Sequence, residues 1–136
     1  MRIYEIPEKL TVDWNEDVKA VFDTWTNYTV TVDQFREAVI NKGLAHAKTH
    51  GGHAYVVDSS KAHGAFSQAI MDFIGTDAFP AFAKGGIKYF ITIKSAASAT
   101  TNLSIKGYAA KAGPFGLQLL DLPDQNAAIA WLKEHP

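Results

Sequence analysis

The sequence predicts an α/β fold, in which an antiparallel N-terminal meander of strands continues into βαβ units and helices cover a mixed sheet. Two observations support this prediction. Three stretches with alternating apolar residues precede the first helix signal, and strand-like and helix-like stretches alternate from Ala54 onward. Such alternation is typical of parallel strands joined by right-handed crossovers. No repeat or linker interrupts the 136 residues, so we expect a single domain over residues 1–136.

The composition excludes several classes of protein. Hydrophobic residues make up 47% and charged residues 20%, which is ordinary for a globular protein. With 13 basic and 14 acidic residues and no run of like charge, the chain lacks the basic surface of a nucleic-acid-binding protein. The absence of cysteine excludes disulfides, thiol catalysis and thiolate metal sites. The N-terminal stretch carries charges and no apolar run of signal-peptide or membrane-span length, so we expect a cytoplasmic protein without a transmembrane segment.

The N-terminal meander is predicted from the stretches MRIYEI, LTVDW and VKAVFDTW. In the second stretch, Leu10, Val12 and Trp14 lie on one face with a period of two residues. The turn formed by residues 15–17 separates it from the third stretch. Because the connections are short, we expect the three strands to pair antiparallel.

The first helix has clear start and stop signals. Thr31 and Gln34 have the spacing of a capping box, and Val30 and Phe35 occupy the two positions of a hydrophobic staple. The glycine pair at residues 51–52 supplies the left-handed conformation that is common just after a helix. The sequence therefore predicts one helix between these signals.

The second half of the chain predicts three more strands and further helices. The strands are AYVVD, IKYFITI and FGLQLLD, and the helices cover residues 66–74, residues 80–84 and the stretch DQNAAIAWLKEH after a cap at Asp124. Residues 95–112 are ambiguous, because Ile105 and Tyr108 suit a helix face whereas Leu103 and Ile105 also suit a strand. We favour a helix there. Since it carries few large side chains, we expect either a mobile cover or a surface that a partner or ligand completes.

Short motifs run through the whole chain. They are Trp-Thr-x-Tyr-Thr from Trp25, Val-Val-Asp ending at Asp58, Phe79-Pro80, Lys-Gly-Gly-Ile-Lys from Lys84, Ser-Ile-Lys from Ser104 and Ala-x-x-Trp-Leu from Ala128. In this order the motifs resemble the small bacterial proteins classed as STAS/SEC14-domain or SpoIIAA-like, over residues 1–132. The resemblance implies a SpoIIAA-like α/β fold, which anti-sigma-factor antagonists share with lipid-carrying SEC14-type domains.

The same resemblance implies a possible phosphoacceptor. In anti-sigma-factor antagonists a strand ends in Asp-Leu-Ser and a phosphoserine follows at the start of a helix; Asp58 matches the strand end and Ser67 the later serine. Phe66 stands where that family has an acidic residue, and Gln68 where it has a serine. The alternative is that Ser67 is a polar residue of the first helical turn, with Ser59 or Ser60 bonding loop backbone.

Catalytic and metal sites have little support in the sequence. Asp58 lies at the carboxyl end of a central strand with serines and a histidine nearby, yet no nucleophile-elbow pattern occurs, and we expect its carboxylate to accept backbone N–H groups. His46 and His50 share a helix face and His53 follows, but no carboxylate lies within the segment. Histidines near a helix C-terminus are also favoured by the helix dipole without a metal. We predict no catalytic residue, metal or cofactor, and hydrolase activity is the weakest hypothesis.

Two functions from different classes remain. The STAS side of the resemblance favours a non-enzymatic interaction or regulatory domain that acts as a homodimer or with a protein partner. The SEC14 side favours an apolar small ligand such as a lipid. The residues predicted to bind are Trp25, Tyr28, Asp58, Phe66, Phe79 and Tyr108. A ligand carrier needs a closed cavity, whereas an interaction domain needs an exposed apolar surface.

Overall fold

The computed structural model describes residues 1–136 and contains one six-stranded sheet. The strands are β1 (Arg2–Ile6), β2 (Leu10–Asn15), β3 (Ala20–Trp25), β4 (Ala54–Asp58), β5 (Tyr89–Ile93) and β6 (Gln118–Asp121). They lie across the sheet in the order of the sequence. The pairs β1–β2 and β2–β3 are antiparallel, and the pairs from β3 to β6 are parallel. The predicted meander followed by βαβ units is confirmed.

Four helices accompany the sheet. They are α1 (residues 32–50), α2 (residues 68–84), α3 (Ala99–Ala109) and α4 (Gln125–Lys133). A single 3-10 turn at Gly113–Phe115 leads into β6. None of these helices has the length and apolar character needed to cross a lipid bilayer.

Helix α1 begins and ends as its sequence signals predict. The Gln34 N–H donates to Thr31 Oγ1 at 3.0 Å, and the Thr31 N–H donates to Gln34 Oε1 at 2.9 Å, which completes the capping box. At the other end, Gly51 takes a left-handed conformation with φ of 72°. Glycine adopts this φ without the steric cost that a Cβ brings.

Two π-helical segments, which the sequence did not predict, lie within α1 and α2. They span Arg36–Leu44 and Ile74–Ala78, with Ala45 N–H donating to Ile40 O and Phe79 N–H donating to Ile74 O. The second segment joins the two helices predicted at 66–74 and 80–84 into one helix. Pro80 lacks an N–H and lies in the first turn after the π-helical segment, where the wider turn lets the helix continue. The start at Phe66 is also wrong, because Ser67 caps the helix and the first helical residue is Gln68.

The helices divide unequally between the two faces of the sheet. The larger core lies under α1, α2 and α3, and the smaller core lies under α4 alone, where Ala128 and Leu132 are buried and Trp131 is half-buried. The parallel strands advance in one direction across the sheet. Right-handed crossovers between them must therefore all lie on the same face.

A helix forms within residues 95–112, over Ala99–Ala109, as favoured from the sequence, and polar contacts secure it. Ile105 and Tyr108 are its only large buried side chains, while Leu103 is 71% exposed. The Thr101 hydroxyl donates to the carbonyl oxygen of Gly64, and Lys111 Nζ, just beyond the helix, donates to the carbonyl oxygen of Met71 at 3.0 Å. Helix α3 is thus a lightly packed cover over the larger core.

Candidate functional site

Five of the six residues predicted to bind lie in one aromatic cluster of the larger core. They are Trp25, Tyr28, Phe66, Phe79 and Tyr108, and all five are buried. The Tyr28 and Phe66 rings stack with centroids 3.9 Å apart and planes 2° apart. The Trp25 ring meets both of them edge-on, at 5.2 and 5.1 Å. Strands β3 to β5 form the floor of this cluster, and the three helices of the larger core cover it.

A small cavity of about 30 Å³ lies within the cluster, and we name it the aromatic chamber. Its wall includes Trp25, Tyr55, Phe66, Phe79, Phe82 and Tyr108. Both π-helical segments reach it, through Val39 of the first and Ile74 and Ala78 of the second. A cavity of about 150 Å³ is the kind that holds a benzene molecule. The aromatic chamber therefore has room for a group of one or two heavy atoms and not for a lipid chain.

The one carboxyl group in the wall of the aromatic chamber is Asp23, which sequence reasoning missed. It is 1% exposed, and Tyr55 Oη donates to its Oδ1 at 3.1 Å. Burial raises the pKa of Asp23 well above its usual range, against the hydrogen bond from Tyr55, which lowers it. The stretch VKAVFDTW does contain a signal for Asp23. Side chains of a strand alternate between its faces, and Asp23 lies two residues from both Val21 and Trp25, which face the larger core. The same alternation therefore directs Asp23 into that core.

A buried set of hydroxyl groups borders the aromatic chamber. Tyr28 Oη bonds Ser59 Oγ and lies 3.2 Å from Tyr108 Oη. Burial raises the pKa of Tyr28 to about 12 and raises the pKa of Tyr108 well above its usual range. The three hydroxyls stay neutral. Their hydrogen bonds connect the end of β4 (Ser59), the loop after β3 (Tyr28) and helix α3 (Tyr108).

Asp58, the sixth predicted residue, lies on the opposite face of the sheet. Its Oδ1 accepts the Ser60 N–H at 2.9 Å, as expected for a carboxylate that orders the following loop. Its Oδ2 accepts from Gln125 Nε2 at 2.7 Å, and the same amide nitrogen donates to Thr24 Oγ1 at 3.1 Å. Asp58 therefore fastens α4 to the sheet, away from the aromatic chamber.

Ser67 is exposed and forms the N-cap of α2. Its Oγ accepts the Ile70 N–H at 3.2 Å. This is the local role that the sequence offered as the alternative to phosphorylation. Phosphorylation of Ser67 stays a prediction.

The three histidines of the segment HAKTHGGH separate into two places. The His46 and His50 rings stack at 4.0 Å beside Trp14, in a polar cleft of about 710 Å³ at the β2–β3 turn. His53 instead meets the Tyr89 ring at 5.8 Å, near the start of β5. No group of three or more His, Cys, Asp or Glu side chains converges where a metal ion would bind.

A second apolar site is open to solvent, between α3 and strand β6. This edge groove has a volume of about 820 Å³, and its lining includes Phe90, Leu103, Ile105, Ala109, Leu119 and Leu120. The groove forms because β6 is the last strand of the sheet, so no further strand lies beside it. Helix α3 covers the neighbouring part of the sheet and leaves Leu119 of β6 41% exposed.

The outer main chain of β6 is unpaired beside this groove. The N–H groups of Gln118 and Leu122 donate to carbonyl oxygens of the β5 side, at 2.8 and 3.1 Å. Because alternate residues of a strand direct their N–H and C=O groups to opposite sides, those of Leu119 and Asp121 point away from the sheet. Two lysines stand at the groove; Lys94 pairs with Asp121 at 3.1 Å, and Lys106 takes part in no ion pair.

Comparisons with protein-family models, curated proteins and solved structures give no match to this chain. The resemblance to SpoIIAA-like proteins therefore rests on the sequence motifs alone and stays a prediction.

Proposed function

We propose that this protein is a non-enzymatic interaction domain that binds an extended segment of a partner protein in the edge groove. The supporting observation is the combination of an unpaired strand edge with an open apolar groove at its side. This is the protein-contact function favoured from the sequence, now attached to particular residues.

The binding mode is strand addition. The partner segment pairs with the outward N–H and C=O groups of Leu119 and Asp121 and becomes a seventh strand. Every second side chain of that segment then points toward the groove, where Leu103 and Leu119 present apolar surface. Main-chain hydrogen bonds supply affinity, and the apolar side chains supply specificity.

The charge of the groove defines the partner further. Lys106 is exposed and unpaired, so an acidic side chain on the bound segment gains an opposite charge. An exposed pair of this kind contributes about 0.2–1 kcal/mol. The expected segment therefore alternates apolar residues and carries at least one aspartate or glutamate.

The geometry favours this function over the two alternatives. A carried lipid needs an enclosing cavity far larger than the 30 Å³ of the aromatic chamber, and the larger edge groove is open to solvent. A hydrolase needs a nucleophile within reach of a base, but the Ser59 hydroxyl is bonded to Tyr28 on one face of the sheet and the Asp58 carboxylate to Gln125 on the other.

A peptide-display selection tests the proposal. Extended random peptides are selected on the wild-type protein, and the affinity of the enriched peptides is measured for the wild type, Leu119→Asp and Phe115→Asp. Phe115 is 38% exposed, close to the 41% of Leu119, and lies outside the groove lining, so it is the matched control. We expect Leu119→Asp to weaken binding by about tenfold or more, since it places a charge on the apolar contact, and Phe115→Asp to leave binding unchanged.

Two results would contradict the proposal. Equal peptide affinity of the wild type and Leu119→Asp would place binding elsewhere. Sedimentation equilibrium that shows a dimer for the wild type and a monomer for Leu119→Asp would assign the groove to a second copy of the chain instead of a partner segment.

A further inference from the structure

The aromatic chamber contains an acid without a counter-charge. Asp23 is 1% exposed and has one hydrogen bond, from Tyr55. The rest of the wall is apolar or aromatic. Burying a carboxyl group in such surroundings is costly unless a partner compensates it, and the single hydrogen bond from Tyr55 reaches only Oδ1.

We propose that the aromatic chamber binds a small alkylammonium cation, with the Asp23 carboxylate as its counter-ion. This site is independent of the edge groove, which lies at the edge of the sheet and is open to solvent.

The size of the chamber selects the ligand. A volume of about 30 Å³ accepts an ammonium group with a single methyl carbon and excludes benzene-sized molecules and acyl chains. A water molecule also fits by size and could meet the polar groups of Asp23, Tyr55 and Tyr108, but unlike a cation it gives the carboxylate no opposite charge. A methylammonium ion presents three N–H donors to the Asp23 carboxylate and the surrounding rings, and its methyl group contacts apolar surface.

The wall also has the electrostatics that a cation requires. Trp25, Tyr55, Phe66 and Phe79 surround the cavity, and aromatic faces attract cations, most strongly when the cation is desolvated. The carboxylate adds a full opposite charge within the same enclosure. Cage and counter-ion together offset the loss of hydration that a buried ammonium group suffers.

Binding is linked to the release of a proton. Burial raises the pKa of Asp23 well above its usual range and so favours the neutral acid in the empty chamber, whereas an alkylammonium group carries its charge at pH 7. The carboxyl O–H bond breaks, the proton passes to solvent, and the carboxylate pairs with the cation. The other titratable groups near Asp23 are Tyr55, Tyr28, Tyr108 and, farther off, Asp13. The three tyrosines stay protonated at neutral pH, so the proton comes from Asp23.

Thermal unfolding in methylammonium chloride tests the site. The wild type and Asp23→Asn are unfolded at pH 7 in methylammonium chloride and in sodium chloride of equal ionic strength, with tetramethylammonium chloride as the size control. We expect the wild type to gain about 3 °C or more in Tm with methylammonium alone. Asp23→Asn should gain nothing, because the amide supplies no counter-charge. Titration calorimetry in two buffers of different ionisation enthalpy should show that protons are released as the cation binds to the wild type.

A further measurement uses the wild type alone, in case Asp23→Asn folds poorly. Isotope-labelled methylammonium in the chamber should give nuclear Overhauser contacts from its methyl group to the ring protons of Trp25 and Phe79. Equal Tm values in the two salts, or an equal gain for Asp23→Asn, or the absence of these contacts at saturating methylammonium would overturn the proposal.

Discussion

Asp23 is the residue whose chemistry departs most from its surroundings. It lies in a core strand between Phe22 and Thr24, with its carboxyl group against aromatic rings. In the absence of a ligand, burial raises the pKa of Asp23 and favours its protonated form, because a charge at this depth has one hydrogen bond and no cation to stabilise it. The stability of the fold must therefore depend on pH through this carboxyl group.

We predict that Asp23→Asn makes the stability less dependent on pH. The pKa of Asp23 is raised by folding, so between the unfolded value near 4 and the higher folded value the unfolded chain loses the proton and the folded chain keeps it. The contribution of Asp23 to the free energy of unfolding is complete below about pH 4. It decreases as pH rises, by at most about 1.4 kcal/mol per pH unit. The amide does not titrate, so this loss disappears.

Urea unfolding of both proteins between pH 4 and pH 7, without amines in the buffer, measures the difference. The exposed residue Asp17 provides the control, since Asp17→Asn should change the slope little. If wild type and Asp23→Asn lost stability in parallel over this range, the carboxyl group would be ionised in the folded protein.

Most of the residues of the aromatic cluster were predicted from the sequence. Five of the six residues predicted to bind, Trp25, Tyr28, Phe66, Phe79 and Tyr108, do lie together in the larger core. Asp58 was grouped with them because of its place at a strand end. Whether a strand residue faces one core or the other depends on register, and Asp58 falls on the α4 side.

At the scale of elements, the capping signals were more informative than the helix interiors. The capping box of α1 and the cap at Asp124 were readable, because each depends on residues three positions apart. The π-helical segments could not be predicted. The spacing of apolar residues does not tell a backbone N–H that donates five residues back, as in a π-helix, from one that donates four residues back, as in an α-helix. Helix α3 was ambiguous in the sequence because it has few large apolar side chains. Polar contacts hold it in place instead, such as the hydrogen bond from Thr101 to Gly64.

We predict that Tyr108→Phe loosens α3 selectively. The change keeps the ring in the larger core and removes the hydroxyl that lies 3.2 Å from Tyr28 Oη. The loss of a buried hydrogen bond of this kind costs about 1 kcal/mol. Because α3 has few other buried contacts, amide hydrogen exchange should rise first in residues 99–109.

Hydrogen-exchange mass spectrometry follows this change, with Leu103→Ala on the exposed side of the same helix as the control. Leu103 is 71% exposed, so its truncation should leave exchange near the wild-type rate. A uniform increase across all helices in Tyr108→Phe would contradict a local role for the hydroxyl.

At the scale of the whole molecule, the order of strands explains where the open surfaces lie. A sheet that advances in one direction places three helices on one face and leaves α4 to cover the other. It also leaves β1 and β6 as edges. Around β1, Arg2 pairs with Glu5 and Asp13, as is typical of a protected edge, whereas β6 borders the apolar edge groove. Strand alternation predicted the βαβ units, but the position of this groove depends on long-range packing that no local pattern contains.

Because one helix covers the second face, we predict that Leu132→Ala destabilises the whole protein. Leu132 is 1% exposed in the smaller core, and truncation of a buried leucine costs about 2–5 kcal/mol. The identical change at exposed Leu103 should stay within about 0.5 kcal/mol. The link from Gln125 to Thr24 and Asp58 ties α4 to the two central strands, so we expect its loss to reach the larger core as well.

Urea unfolding followed by two signals decides whether the two faces form one cooperative unit. Trp25 reports on the larger core and Trp131 on α4, so single-tryptophan variants, with the other two tryptophans replaced by phenylalanine, separate the two faces. We expect Leu132→Ala to lower the urea midpoint equally for both signals, because strands β3, β4 and β5 contribute buried side chains to both cores. A fall in the Trp131 midpoint with an unchanged Trp25 midpoint would show instead that α4 detaches as a separate unit and that the sheet is stable with one face uncovered.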